Sequence, residues 1–325
     1  MSTILLSQEI HKDAVRYLRD QGFKIEISPS PDDEVVRKYI RTADAVIVRT
    51  ATKLSRETIF TAKNLKVIAR TGSGVDNVDI NAASDRNIPV CYTPEANTES
   101  VAEHTIALML ACAKYLNKMD LSVRKNNFII RNNYLPVDLN CKTLGLIGFG
   151  KIGRNVAEKC SNCFDMRTII YDPFLSDIGD LGFSFSRTEK IDDIVINSDF
   201  ISIHIPYTGE NHHIINNEMF DKMKKSAFLI NTSRGGIIDE EALAHALLGG
   251  KIAGAALDVF EDEPPHIDNP LLKIDNIILT PHSAALTRES ARRMAIHAAE
   301  GVADVLKGRK PKWVFNIVKI KLQNM

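Results

Sequence analysis

The sequence predicts an α/β protein of two βα units, each built around a parallel sheet. Three observations lead there. The chain has 325 residues, 44% of them hydrophobic, which is more than one ordinary core takes up. Short apolar runs alternate with helical periodicities in two separate series. A long helical stretch divides the series. Repeated alternation of this kind means parallel strands with helices over the faces.

In the first series, Thr3–Leu6 reads as a buried strand and Ser7–Asp20 as a helix with Ser7 at its N-cap. Phe23–Ile27 reads as a strand, Asp32–Arg41 as a helix behind Pro31, and Ala45–Val48 as a strand. Ser55–Ala62 reads as a helix, Val67–Ala69 as a strand, Asp79–Asp85 as a short helix and Val90–Tyr92 as a strand. Val101, Ile106, Leu108, Met109 and Cys112 include helical spacings, so Thr98–Asn117 is predicted as one long helix. The second series supplies strands at Thr143–Ile147, Thr168–Tyr171, Phe200–Ile205, Phe228–Asn231, Gly254–Asp258 and Ile277–Leu279. Their apolar runs suit a sheet buried on both faces. A helix is predicted over Arg288–Leu306. The apolar run Trp313–Val318 in the tail is expected to return to the first unit.

Composition excludes several function classes. Lys plus Arg and Asp plus Glu each count 41, giving a net charge of zero. Nothing in that balance attracts nucleic acid or an anionic membrane. The opening residues MSTILLSQEI lack the basic and apolar regions of a secretory signal. The longest apolar stretch, Thr105 to Leu116, is interrupted by Lys114 and falls short of the ~18 residues of a membrane span. Five cysteines at 91, 112, 141, 160 and 163 are an odd count in a long chain, so a reducing cytoplasm is expected rather than a disulfide framework. Cys160 and Cys163 form a lone CxxC, read as neighbours on one helix. His212 and His213 are adjacent, and successive side chains on a strand or loop point different ways. No metal site is therefore expected.

The strongest local signal is Gly148-Phe-Gly150-Lys-Ile-Gly153, between a predicted strand and the helical run Arg154–Cys163. This is the context of a dinucleotide-binding loop. Gly148 permits a tight turn, Gly150 lets a pyrophosphate approach the backbone, and Gly153 lets the helix pack on the strand. The helix N-terminus offers N–H groups and partial positive charge to phosphates. A second strand ends in Tyr171-Asp172-Pro173, about 20 residues further on, where a carboxylate accepts from ribose hydroxyls and repels a 2′-phosphate. Pro173 and Phe174 supply no arginine for such a phosphate. NAD is therefore the expected cofactor.

Three polar groups follow later strands of the same series. Arg234 lies in Asn231-Thr232-Ser233-Arg234-Gly235-Gly236, Glu263 beyond Asp258, and His282 beyond Pro281. Open parallel sheets bind ligands at the carboxyl ends of their strands. Hydride transfer at a carbonyl needs a cation for the substrate, a proton donor, and a group that tunes that donor. Arg234 suits the first with its permanent planar charge. His282 suits the second, since an imidazole titrates near neutral pH. Glu263 suits the third, since a nearby carboxylate favours the protonated ring.

With these motifs in view, the chain resembles the D-isomer-specific 2-hydroxyacid dehydrogenases. The matching stretches are RTATK at 49–53, ARTGSGVDNVD at 69–79, AEH at 102–104, GFGKIG, YDP, NTSRGGIIDE, AALDVFEDEPP and TPH. The resemblance implies two Rossmann-like or flavodoxin-like βα domains. A nucleotide domain (99–285) would be inserted into a substrate domain (1–98 and 286–325). It implies Arg234, Glu263 and His282 as the catalytic set. It assigns cofactor contacts to Ser73, Lys151, Ile152, Asp172, Thr232, Ser233, Arg234, Asp258 and His282, and the substrate carboxylate to the backbone of Ser73 and Gly74. It also implies a homodimer through the nucleotide domain and its long helix.

Arg49, Lys53 and Arg70 offer cations for a substrate phosphate, as in the family branch that acts on 3-phosphoglycerate. That substrate is the expectation. Glyoxylate or hydroxypyruvate reduction is the alternative on the same scaffold, and an NAD-sensing corepressor-like protein is the alternative of another class. After His282 the chain reads Ser283-Ala-Ala-Leu-Thr287, where the family often carries a glycine. The chain ends soon after the last helix, so the regulatory domain of many phosphoglycerate enzymes is expected to be absent, and serine feedback with it.

Overall fold

The structure is a computed structural model and describes residues 1–175, 179 and 181–318. The chain divides into two units, 1–97 with 285–325 and 98–284.

The first unit opens with β1 (Thr3–Leu6), α1 (Lys12–Asp20), β2 (Lys24–Ile27), α2 (Asp33–Tyr39) and β3 (Ala45–Val48). It continues with α3 (Arg56–Thr61), β4 (Val67–Arg70), α4 (Ile80–Asp85) and β5 (Val90–Cys91). All its strands pair in parallel, in the order β2-β1-β3-β4-β5. This is the flavodoxin-like order, whose chain reverses direction between β1 and β3. Helix starts follow from side-chain caps: Ser55 accepts from Thr58 N and Asp79 from Ala82 N.

Ser7 is not the cap of the first helix. His11 takes that place, accepting from Asp13 N, and α1 starts five residues after Ser7. Ser7 is fully buried and its hydroxyl accepts from Thr52 at 2.8 Å, so tertiary packing outweighs its capping preference.

The second unit begins with α5 (Thr98–Ala113), α6 (Leu116–Arg124) and α7 (Ile130–Asn133). The single long helix expected over 98–117 is broken. Tyr115 sits in the left-handed region at φ 51°, its ring against Tyr134 and Phe228 at centroid distances of 5.7 and 6.4 Å. No glycine or proline marks the break; an aromatic cluster holds it. There follow β6 (Thr143–Ile147), α8 (Lys151–Phe164), β7 (Arg167–Tyr171), β8 (Phe185–Thr188), α9 (Ile191–Asn197) and β9 (Phe200–Ile203). Then come α10 (Asn217–Lys222), β10 (Phe228–Asn231), α11 (Glu240–Leu248), β11 (Gly254–Leu257) and β12 (Ile277–Leu279).

The seven strands run parallel in the order β12-β11-β10-β9-β6-β7-β8. This is the doubly wound order, and its reversal falls between β6 and β9. Strand β8 was not among the six expected. It lies at the sheet edge with a half-exposed, polar FSRT sequence, so no apolar run announces it. The inner strands β9, β10 and β11 are buried at every position.

Finally α12 (Arg288–Leu306) packs in the first unit against α1 and β4. The tail returns to that unit as expected. Val314 bridges Cys91, Phe315 N donates to Val90 O at 2.8 Å, and Asn316 Oδ1 accepts from Val90 N at 2.8 Å. Residues 319–325 of the tail lie outside the described residues. Among the described residues no helix is long and apolar enough to cross a membrane.

Candidate active site

The glycine loop joins β6 to α8 at the reversal of the second sheet. Gly148 has φ 95°, and a Cβ there would stand 2.6 Å from His204 O. A Cβ on Gly153 would stand 2.5 Å from Gly148 O, so the first turn of α8 lies directly on the loop. On Gly150, by contrast, a Cβ would meet nothing within 4 Å. Gly150 is the N-cap of α8, a 14-residue helix, and supplies no side-chain cap. The open space over Gly150 and the helix N-terminus beyond it fit a pyrophosphate. Lys151 and Ile152 are the first residues of α8. The valine, alanine and cysteine at 156, 157 and 160 turn a buried stripe toward the sheet.

Asp172 follows β7. Its Oδ2 accepts from Phe149 N at 2.8 Å and its Oδ1 from Phe174 N at 3.0 Å. The carboxylate is thereby fixed beside the glycine loop. The donor set and the space above Gly150 fit a dinucleotide.

Beyond β10, the buried Asn231 builds the turn that carries Arg234. Its Oδ1 accepts from Ser233 N at 3.0 Å and Ser233 Oγ at 2.9 Å, and its Nδ2 donates to Arg234 O at 2.8 Å. Thr105 donates its hydroxyl proton to Val101 O at 2.8 Å, so Thr232 is the donor in the 2.9 Å bond between the two threonines. At Gly235 a Cβ would stand 1.9 Å from Phe260 C. Only glycine lets the loop after β10 lie this close to the loop after β11.

That second loop carries Glu263. Phe260 N donates to its Oε1 at 3.2 Å, and His282 Nδ1 lies 2.7 Å from its Oε2. Burial pushes the Glu263 carboxyl up. The hydrogen bond and charge of His282, the Phe260 N–H and the Arg234 charge outweigh burial and hold it below the usual range. The structure therefore brings His282 onto Glu263 and Arg234 within electrostatic reach of it. The guanidinium is itself steadied by Ser233 O, 2.7 Å from Nη1.

His282 has φ 50°, and its N–H donates to Asp258 O at 2.7 Å. Asp258 is fully buried. Its Oδ1 accepts from Thr280 Oγ1 at 2.6 Å and Ser283 N at 2.9 Å, and its Oδ2 from Ala284 N at 2.8 Å. Both carboxylate oxygens thus hold the loop that presents His282. His104 Nε2 joins this cluster, 3.2 Å from Thr280 Oγ1. Ala284, in the stretch after His282 that carries no glycine, is buried at this anchor.

His204 was not singled out from the sequence. It follows β9 at the sheet reversal, its Nε2 is 2.9 Å from Ser202 Oγ, and burial pushes its pKa down to about 4. The available signal was its place one residue beyond a strand carrying Phe200, Ile201 and Ile203.

In the first unit, Arg49, Thr50 and Arg70 stand at the carboxyl ends of β3 and β4. Arg49 Nη1 donates to Glu9 O at 3.0 Å, and Arg70 Nη2 to Thr50 Oγ1 at 3.0 Å. Asn77 Nδ2 pins the Arg49–Lys53 loop through Arg49 O at 2.9 Å and Thr52 O at 2.6 Å. Lys53 is exposed. Ser73 Oγ accepts from Asn97 Nδ2 at 3.3 Å, and Gly74 follows in the same half-buried loop.

Residues 106–284 match the model of the D-isomer specific 2-hydroxyacid dehydrogenase NAD binding domain. A D-3-phosphoglycerate dehydrogenase of Archaeoglobus fulgidus is 40% identical over 98% of this chain and 60% of its own length. The chain thus spans about three fifths of that relative. A hydroxypyruvate reductase of Thermotoga maritima is 40% identical over 91% of this chain and 96% of its own length. A D-lactate dehydrogenase of Aquifex aeolicus, solved with NAD and lactic acid, superposes with a TM-score of 0.84 at 32% identity. That match covers 94% of this chain and 96% of that one. The nucleotide sheet, its glycine loop and these matches together place the chain in the D-isomer specific 2-hydroxyacid dehydrogenase family.

Proposed function

We propose that the chain is an NAD-dependent oxidoreductase acting at C2 of a small D-2-hydroxy acid, with 3-phosphoglycerate and 3-phosphooxypyruvate as its substrate pair. The observation that carries this reading is the 2.7 Å pair of His282 Nδ1 and Glu263 Oε2 at the strand ends of the nucleotide sheet. The loop bearing Arg234 packs against the loop bearing Glu263.

Bound NAD supplies the hydride acceptor in oxidation and, reduced, the donor in the reverse direction. The glycine loop and the first N–H groups of α8 take the pyrophosphate, and Asp172 takes the ribose hydroxyls while disfavouring a 2′-phosphate. Ser73, Lys151, Ile152, Thr232, Ser233 and Asp258 are assigned to the cofactor's surroundings. Asp258 acts there by holding the His282 loop. Arg234 holds the substrate carboxylate and polarises the C2 oxygen. With Nδ1 engaged by Glu263, Nε2 of His282 is left to take the hydroxyl proton in oxidation and return it in reduction. Glu263 fixes the ring's orientation through its bond to Nδ1. We assign the backbone of Ser73 and Gly74 to the substrate carboxylate, and Arg49, Lys53 and Arg70 to its phosphate. The reaction would feed serine biosynthesis in the cytoplasm, where the five free cysteines stay reduced.

A second reading, reduction of glyoxylate or hydroxypyruvate, is favoured by one observation. The Thermotoga maritima hydroxypyruvate reductase is 40% identical to the chain, as is the Archaeoglobus fulgidus phosphoglycerate enzyme. Steady-state kcat/KM for 3-phosphoglycerate, glyoxylate and hydroxypyruvate decides between them. We expect the phosphorylated acid to lead. Weak turnover of it beside strong turnover of glyoxylate would overturn the substrate choice and leave the reaction class standing.

We further propose a homodimer formed through the second unit. Helix α6 buries none of its residues within the chain. Leu116, Leu121, Val123, Phe128, Ile129 and Leu135 around it are each more than half exposed. Exposed large apolar side chains concentrated in one segment support an interface there.

A further inference from the structure

His212, His213 and Glu261 stand on the loops that follow β9 and β11. Their ligand atoms all lie within 4.8 Å of one another. Neighbouring side chains in an extended segment diverge, and that was the ground for expecting no metal here. The backbone at this point is not extended. His213 has φ 52°, and its N–H donates to Gly236 O at 3.0 Å. The left-handed residue turns its ring back onto its neighbour, so the two imidazoles stack at 3.7 Å between centroids and 27° between planes. His213 Nε2 bonds Glu261 Oε1.

The cluster is also supported from behind. Tyr207 OH lies 3.3 Å from His212 Nδ1, which directs Nε2 as the ligating nitrogen of His212. Glu261 N donates at 2.8 Å to Glu240 Oε1, and Glu240 is buried. The carboxylate-bearing loop is therefore anchored before any ion arrives. Two imidazoles and one carboxylate form a borderline donor set, of the kind that suits zinc and its first-row neighbours. Calcium and magnesium want more oxygen ligands than a single carboxylate supplies. His212 and Glu261 are exposed, which leaves room for water at the remaining coordination position.

We propose that His212, His213 and Glu261 form a site for one divalent transition-metal ion of the zinc class, completed by water. Its three ligands are residues other than Arg234, Glu263 and His282, and the proposal does not depend on the proposed reaction.

The test uses the full chain, stripped with a chelator and titrated with Co²⁺ as a visible-absorbing stand-in for zinc. Visible bands of nitrogen- and oxygen-ligated cobalt should grow to saturation at one equivalent, and Zn²⁺ should abolish them. His212→Gln and Glu261→Gln should each weaken cobalt binding by about tenfold or more, by analogy with the loss on removing supporting partners of metal ligands. Far-UV circular dichroism and melting without metal check that both variants are folded. If either variant is unfolded, imidazole NMR of the unmutated chain takes its place, and Co²⁺ should shift two of the nine histidines directly. Equal cobalt affinity in the wild type and a folded His212→Gln variant would overturn the proposal. So would binding that vanishes on alkylating the exposed Cys141 and Cys163, or the absence of any saturable band.

Discussion

The proposed chemistry turns on a proton at His282. Its Nδ1 is committed to Glu263 at 2.7 Å, so replacing the ring removes the acid–base group and leaves the glycine loop intact. His282→Ala should lower kcat on the order of 10²–10⁴-fold and affect NAD affinity far less. NADH absorbance in a stopped-flow turnover, with cofactor binding followed by fluorescence, separates the two effects. An unchanged turnover number would remove His282 from its role. Asp172 is tied to Phe149 N and Phe174 N, which fixes its charge beside the glycine loop, where we assign it to the ribose. Asp172→Ala should therefore reduce the preference for NAD over NADP, read as the ratio of kcat/KM for the two cofactors. An unaltered ratio would exclude that role. The meeting of His282 with Glu263, within reach of the Arg234 charge, is the part of the candidate site foreshadowed in the sequence, because each residue follows a strand end and carries a type of side chain the proposed reaction needs. The work of Asp258 is not legible. Its carboxylate binds N–H groups of residues 283 and 284, and nothing in the spacing announces that closure. The stacking of His212 on His213 is hidden for a similar reason, since it depends on one left-handed residue.

At the scale of elements, the seat of α8 on β6 is set by a single contact. A methyl group on Gly153 would stand 2.5 Å from Gly148 O, a backbone atom that cannot swing away. Overpacking of this kind costs about 1–3 kcal/mol, and displacing the helix N-terminus also displaces the anion site. Gly153→Ala should lower the melting temperature and weaken NAD binding by about tenfold. Isothermal titration of the variant with NAD checks it, and wild-type affinity there would disprove the proposed seat. A second element-level prediction concerns acid stability. Burial pushes the Asp199 carboxyl up, but the Thr143 N–H and Lys224 outweigh that and hold it below the usual aspartate range. A depressed carboxyl stabilises the fold above the unfolded pKa and loses that contribution as pH falls through the folded pKa. Asp199→Asn should therefore flatten the fall in melting temperature below about pH 4, and parallel curves would count against it. The strands on this sheet are readable from their apolar runs, except the polar edge strand β8. The break between α5 and α6 is not readable, because aromatic packing around Tyr115 makes it and no helix-breaking residue does.

For the whole molecule, the division of the chain is readable because the βα alternation stops and restarts around one helical stretch. The strand orders are not readable, since alternation does not say where a sheet reverses. Assembly adds a prediction that the single chain makes specific. Leu121 and Phe128 are 56% and 64% exposed, on a segment whose helix α6 buries none of its residues. Exposed leucine and phenylalanine on one stretch are costly in water, and pairing two copies through it removes both surfaces at once. Replacing each with glutamate places like charges on both sides of a symmetric contact. The double variant Leu121→Glu, Phe128→Glu should elute at the monomer mass in light-scattering chromatography, where the wild type elutes at twice that. Because both side chains lie outside the intrachain core, the melting temperature of dilute protein should fall only as far as dimerisation had raised it. A variant that stays dimeric would move the interface elsewhere. A wild type that is monomeric at micromolar concentration would remove the dimer from the proposal altogether.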